Sequence, residues 1–394
     1  MKSHVSDLLE LATRIYIDAC SKCTVTLDMR DIMTLKSRVE HEGLSFLTIT
    51  LPTLGSDLEK GLALGRIDSG LFRSFRKRLK APAFLQGFFS QVFDESGRIF
   101  DEPSISCIEA IRQLSYSFKK LKVDCEPFRV RKTLDKFISD EHYLKSFDLG
   151  ETDINSFITV CTHLWAPLFA HRGSRLRNAN LVPKHGPGAT AERLSGNQKF
   201  SASRWHSRLE PYFPMLNTLF INENAYDSWE FERVMEVPVD QEQPVRITPV
   251  PKTLKGPRII AIEPVCMQYT QQALSKVLVE TLESLRPTAG HVNFTDQSVN
   301  RELALSSSKD GKFATMDLSS ASDLVPYKVA IRMFDSIPDI QGAISACRST
   351  KAQMPDGTIV PLDKFASMGS ALCFPVEAMY FYTLCVKALL EKYN

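Results

Sequence analysis

The sequence predicts an α+β fold, and three observations carry that prediction. Apolar residues recur at helical spacing through the first 170 positions, for example across Ile108–Phe118 and Ile158–Leu168. Two short apolar runs, Val245–Val250 and Ile259–Ile262, are punctuated by Pro249, Pro251 and Pro257 and read as strands flanking a loop. A third brief run, Phe313–Met316, lies between Gly311 and polar residues and reads as a buried strand. At 394 residues, 43% hydrophobic and 24% charged, the chain can bury a large core and hold two or three domains.

Taken in order, the region 1–170 is expected to be largely helical, with one β-leaning run, Leu44–Leu51, closed by Pro52 and Gly55. Phe72–Lys80 gathers Arg73, Arg76, Lys77, Arg78 and Lys80, which reads either as a solvated face or as a surface for RNA or a partner. A basic region, 171–312, follows. Between His171 and Arg208 the cations Arg172, Arg175, Arg177, Lys184, Arg193, Lys199, Arg204 and Arg208 face Glu192 alone. Phe200, Trp205 and the loop His185-Gly186-Pro187-Gly188 are interleaved with them. Counter-charge, stacking planes and close backbone approach are what a single nucleic-acid strand needs, so Lys184, His185, Lys199 and Arg204 are candidate RNA contacts. The net charge of +2 gives no global field, so any such surface is local.

The second basic segment, Arg246 to Arg258, contains no acid until Glu263. Lys252, Lys255 and Arg258 cannot share one face of an extended strand, but a bent loop can converge them on a triphosphate. The alternative is a plain surface hairpin tip.

The third region, 313–394, begins with Asp317 at the predicted strand end and Asp323 six positions later, across a serine-rich turn. A carboxylate fixed at a strand end can hold Mg²⁺, which takes hard oxygen ligands and keeps positions open for phosphates. Asp323 could alternatively cap the helix-like segment Leu324–Phe334. Ser367-Met368-Gly369-Ser370 is a small-residue turn before the apolar segment Ala371–Leu390, whose Pro375, Glu377 and Lys387 favour a core helix over a membrane span. Nine scattered cysteines include only Cys20 and Cys23 at ligand-like spacing, without a second pair to complete a zinc site, so reduced thiols are expected. The N-terminus lacks the apolar core of a signal peptide.

These segments, in this order, resemble the RNA-directed RNA polymerase (replicase β subunit) of single-stranded RNA bacteriophages, the levivirus group. The resemblance is carried by Val250-Pro-Lys252 through Arg258-Ile-Ile-Ala-Ile-Glu263-Pro264, by Thr295-Asp-Gln-Ser-Val-Asn-Arg301, by Thr315-Met-Asp-Leu-Ser-Ser-Ala-Ser-Asp323 and by Ser367-Met-Gly369. Upstream, Arg38–Pro52 and His185-Gly-Pro-Gly-Ala-Thr190 look like the N-terminal part of such replicases.

The resemblance implies a right-hand polymerase with fingers and palm, acting with Mg²⁺ on nucleoside triphosphates and a single-stranded RNA template. It implies replication of a viral RNA genome in the cytoplasm of an infected bacterium, alongside host translation factors and away from membranes. It gives Lys252, Lys255 and Arg258 the triphosphate, Asp317 a metal ion and Asp323 the ribose 2′-hydroxyl. Ser367, Gly369 and Ser370 then line the template–nucleotide pair, with Ser370 standing where the family has asparagine. The family's palm continues into a hairpin bearing Gly-Asp-Asp, and no Asp-Asp dipeptide occurs in this sequence. The expectation is therefore an incomplete palm, no thumb, and a fragment inactive alone. The competing expectation is a non-catalytic RNA-binding module.

Overall fold

In the computed structural model, residues 2–169, 181–194, 196–201, 203–220, 229–284, 286 and 288–393 are described. The expected cations Arg172, Arg175 and Arg177 lie outside them. The fold mixes helix and sheet, with helix dominant, in agreement with the α+β expectation. The chain divides into two compact units: Met1–Thr133 with Val250–Arg258, and Leu134–Pro249 with Ile259–Asn394.

In the first unit, α1 (Lys2–Cys23), α2 (Met29–Glu42), α3 (Leu51–Leu64) and α4 (Ile105–Tyr116) enclose an aromatic-rich core. Phe46, Phe75 and Phe84 are buried there, with the Phe75 and Phe84 rings stacked at 5.5 Å. A two-stranded antiparallel ribbon, β1 (Lys77–Arg78) and β2 (Ala81–Pro82), stands beside them. The expected strand at Leu44–Leu51 is instead a π-helical turn, Phe46–Thr50, running straight into α3. Leu47, Leu51, Leu54 and Leu58 are buried at four- and three-residue steps, the spacing of a helix face, and Pro52 sits where the π-helical turn passes into α3.

The second unit is built on α6 (Glu151–Phe169), which follows α5 (Pro127–Ser146), and on α7 (Val265–Ser284), α8 (Ser298–Asp310), α9 (Pro338–Cys347) and α10 (Cys373–Tyr393). Phe157, Trp165, Met267, Leu278, Phe334, Ile344 and Met379 form its core. Trp165 donates its indole N–H to Thr383 on α10 at 3.0 Å, so the apolar segment near the C-terminus packs through its first half as expected of a core helix. By length and composition α10 is also apolar enough to cross a membrane, and Leu389 and Leu390 near its end are exposed.

Sheet order in the main sheet is β6–β5–β7–β8, with β5 (Val245–Thr253), β6 (Gly256–Ile262), β7 (Lys351–Gln353) and β8 (Ile359–Pro361). β5 runs parallel to β7, pairing Val245 with Ala352, and β7 is antiparallel to β8. A second, parallel pair joins β3 (Arg204–His206) to β4 (Met235–Val237). The predicted strands around the 250–258 loop are thus real and extend further than their apolar cores, leaving only Leu254 and Lys255 as the turn. The predicted strand Phe313–Met316 is not formed. It runs without regular structure, with Phe313 65% and Met316 89% exposed, because no neighbouring strand among the described residues takes its backbone hydrogen bonds.

Candidate functional site

The β5–β6 hairpin carries three of the candidate cations at and beside its tip. Lys252, Lys255 and Arg258 are all exposed, and none makes a hydrogen bond or ion pair among the described residues. The tip itself is held by its backbone. Arg129 donates to the Leu254 carbonyl at 2.8 Å and to the Ser45 hydroxyl at 3.2 Å, while the Cys125 thiol reaches the Thr253 carbonyl at 2.9 Å. Three uncompensated cations on a fixed hairpin are suited to an anion carrying several charges.

In the second unit the acidic pair separates into two environments. Asp317 is exposed, without a hydrogen bond or ion pair among the described residues, in the irregular stretch after Gly311. The serine-rich turn that follows puts Ser320 at φ 56°, an uncommon left-handed conformation for a residue with a side chain. Asp323 is half-buried, and its Oδ1 accepts from Lys364 Nζ at 3.1 Å. It does not cap a helix. Pro326 occupies the N-cap position of the four-residue helix Tyr327–Ala330 instead, without a side-chain capping bond, and the Val325 carbonyl accepts the Phe365 N–H at 2.8 Å.

Lys364 is the residue the sequence did not reveal. Its ammonium is fully buried, lies 3.2 Å from Glu141 Oε1 and sits 3.8 Å above the Phe137 ring. The other Glu141 oxygen accepts the backbone N–H groups of Asp363 and Lys364 at 2.6 and 3.1 Å. One buried cation therefore joins two carboxylates, and the pair that anchors it is 223 positions apart. Glu377, half-buried on α10, adds a further carboxyl. Burial and the nearby Asp323 charge raise its pKa, and its Oε2 has no hydrogen-bond partner among the described residues.

The Ser367–Ser370 turn rests against β6. The Met368 carbonyl accepts the Ala261 N–H at 2.8 Å, and Gly369 adopts φ 128° with its Cα facing the Ala261 carbonyl. A Cβ at 369 would overlap that oxygen, so only glycine fits. The Ser370 hydroxyl donates to Gln271 Oε1 at 3.0 Å, and the same oxygen accepts the Ala371 N–H at 3.1 Å. Gln271 in turn donates to the Cys347 carbonyl at 2.8 Å. Ser370 is thus spent on fixing the turn to α7. The Ser367 hydroxyl is buried without a hydrogen-bond partner among the described residues and lines a cavity of about 10 Å³, room for one water, shared with Glu263, Arg348 and Ser349. Burial pushes Glu263 from its ordinary 4.5 to about 7, although Ser349 donates to it at 2.5 Å.

The expected RNA contacts fall into two groups. Lys184 and Arg204 are exposed. Lys199 is 2% exposed, its ammonium held by the carbonyls of Gly186 (2.6 Å) and Gly188, so it clasps the His185–Gly188 loop and does not face solvent. His185 stacks on Tyr269 at 4.4 Å and meets the exposed Phe200 edge-on at 4.7 Å. Burial and the Lys199 charge lower its pKa to about 4, leaving it neutral at pH 7. Trp205 is fully buried and is a core residue, not a stacking plane; along β3 it and His206 are buried while Arg204 is exposed.

No group of three or more metal-capable side chains occurs among the described residues. Asp317, a free carboxylate, fits as one ligand of Mg²⁺, which commonly takes one or two protein carboxylates and completes its shell with water and phosphate. Asp323 has one oxygen, Oδ1, engaged by Lys364.

Residues 215–392 match the family described as RNA replicase, beta-chain. The RNA-directed RNA polymerase subunit beta of Qbeta virus (strain MX1) is 32% identical over 145 residues, 37% of this chain and 23% of that protein. The corresponding subunit of Enterobacteria phage SP is 33% identical over 132 residues, 34% of this chain and 22% of that protein. The RNA-directed RNA polymerase beta chain of Escherichia phage MS2 is 32% identical over 139 residues, 35% and 24% of the two chains. The aligned stretch spans about a quarter of the length of these curated relatives. The resemblance read from the Lys252–Pro264, Thr295–Arg301, Thr315–Asp323 and Ser367–Gly369 motifs is borne out: across residues 215–392 this chain is similar to the beta chains of bacteriophage RNA replicases.

Proposed function

We propose that this chain supplies fingers and palm elements of an RNA-directed RNA polymerase, an enzyme that joins nucleoside triphosphates along a single-stranded RNA template during replication of a phage RNA genome in the bacterial cytoplasm. The observation that carries the reading is the replicase match, which includes Lys252, Lys255, Arg258, Asp317, Asp323 and Gly369 in one continuous segment. Lys252, Lys255 and Arg258 hold the triphosphate and offset charge that grows on the leaving pyrophosphate. Their lack of partners supports this, since no internal ion pair has to break first.

Asp317 is the residue that would hold Mg²⁺, which when bound would polarise the phosphoryl oxygens. Asp323 positions the ribose 2′-hydroxyl, its carboxylate oriented by Lys364. Gly369 and Ser370 keep the turn under the base pair rigid through Ala261 and Gln271. Base choice is left to pairing with the template. Host translation factors are partners by family resemblance only.

A second reading, an RNA-binding module without catalysis, is favoured by the lack of a cluster of metal-capable side chains around Asp317 among the described residues and by the exposed Lys184 and Arg204. A metal titration separates the readings, and an incorporation assay tests the expected inactivity. Titration with Mn²⁺ as a spectroscopic substitute for Mg²⁺ should show a weak site that Asp317→Ala removes; a module that only binds RNA shows no Asp317-dependent metal. Incubation with template RNA, nucleoside triphosphates and Mg²⁺ should give RNA binding that weakens with salt but no measurable incorporation by these residues alone. Template-dependent incorporation abolished by Asp317→Ala would overturn the inactivity.

A further inference from the structure

A groove of about 610 Å³ in the first unit lies between α2 and the β1–β2 ribbon. Arg30, Arg38, Arg76, Lys77 and Arg78 line it, with Asp31 its only carboxylate. Asp31 is turned inward, accepting the Tyr16 hydroxyl at 3.0 Å and the Leu85 N–H at 2.9 Å. Two neighbouring acids are already engaged: Asp28 pairs with Arg30 at 2.7 Å, and Glu42 pairs with Arg38. Five cations against these three acids leave two positive charges. Arg76 and Arg78 are exposed and make no hydrogen bond or ion pair among the described residues, whereas Lys77 donates to the Ser69 carbonyl at 3.2 Å.

Two features make this more than a solvated charge run. Arg38 is fixed, its guanidinium 4.9 and 5.1 Å from the Phe46 and Phe75 ring centres and bonded to the Ser74 carbonyl at 3.1 Å. A cation already immobilised loses little further freedom on meeting a ligand. In addition, Arg76 and Arg78 are two positions apart in extended chain, about 6.6 Å along a strand, close to the spacing of successive phosphates along an RNA strand.

We propose that this groove is a binding site for the phosphate backbone of single-stranded RNA. An acidic protein is the other polyanion to consider, but protein interfaces are anchored by exposed aromatic or aliphatic side chains. The groove offers none: Phe75 and Phe84 are 7% and 4% exposed, and Thr34 and Gln86 are polar. The groove lies outside residues 215–392, so the inference stands independently of the nucleotidyl-transfer reading.

The test uses the full chain, a fluorescent twelve-residue oligouridylate, and the pair Arg76→Glu with Arg78→Glu. The neutral pair Arg76→Gln with Arg78→Gln serves as a milder version, and unchanged melting temperatures report intact folding. Expected are at least tenfold weaker binding for the charge-reversed pair, a smaller loss for the neutral pair, and a salt slope shallower by about 1.4, roughly 0.7 per lost phosphate contact. Photocrosslinking with 4-thiouridine RNA should label peptides within residues 69–86. Affinity within twofold of the unaltered chain overturns the proposal, as do crosslinks confined to other segments. So does a poly-glutamate peptide whose binding is lost in the variants while RNA binding persists.

Discussion

Gly369, Lys364 and Glu263 each show how one residue commits the chain around the candidate site. At Gly369 the constraint is steric and conformational together, since φ 128° disfavours any side chain and the Ala261 carbonyl fills the space a Cβ would take. Gly369→Ala should lower stability by at least about 2 kcal/mol, the combined effect of backbone strain and overpacking, read from a urea unfolding midpoint. An unchanged midpoint would show that the turn does not rest on β6 this closely. At Lys364 the constraint is electrostatic. Lys364→Met would leave Glu141 buried without its cation, and breaking a buried pair from one side costs about 3–5 kcal/mol; a loss below about 1 kcal/mol would contradict the buried pairing.

Glu263 makes a prediction in pH. Its folded-state pKa, about 7, lies above its ordinary 4.5, so between those values the native state keeps a proton the unfolded chain has released. Stability from this group is full below about pH 4.5 and falls as pH rises to about 7, by about 3 kcal/mol at most. Arg208 and Arg348 face the group and favour its charged form, which limits the shift. Glu263→Gln should flatten that slope in denaturation curves taken between pH 4.5 and 7; an equally steep slope would place the titration elsewhere.

Among the elements, those whose stability is local were legible and those needing distant partners were not. The helices at Ile105–Tyr116 and Glu151–Phe169 follow from apolar spacing, and the 245–262 hairpin from its prolines and β-branched runs. The Leu44–Leu51 run suggests a strand through its Thr and Ile residues, yet Leu47, Leu51, Leu54 and Leu58 carry the helical spacing that decides it. Phe313–Met316 has strand composition without a neighbouring strand among the described residues. Its amides should therefore exchange with solvent at close to the free-peptide rate, and slow exchange there would mean the segment is paired in solution. Within the site, Asp317, Asp323 and the Ser-Met-Gly turn stood out as motifs. Lys364, Glu141 and Gln271 did not, because burial makes them matter and their partners lie 41 to 223 positions away.

At the scale of the whole molecule, two compact units carry different parts of the chemistry. The first holds the Lys252–Arg258 hairpin tip and the arginine groove; the second holds Asp317, the Lys364 network and the Gly369 turn. Similarity to phage replicase beta chains covers 215–392, which include the hairpin tip, Asp317 and the Gly369 turn but not the arginine groove; the purpose we propose for them is the handling of nucleotides and RNA. That purpose is tested most directly by equilibrium binding of a nucleoside triphosphate to the intact chain and to a variant with Lys252→Ala, Lys255→Ala and Arg258→Ala. The expected result is binding of the triphosphate by the unaltered chain, at least tenfold tighter than of the monophosphate, with that preference lost in the variant. Equal affinity of the two proteins for the triphosphate would contradict the account.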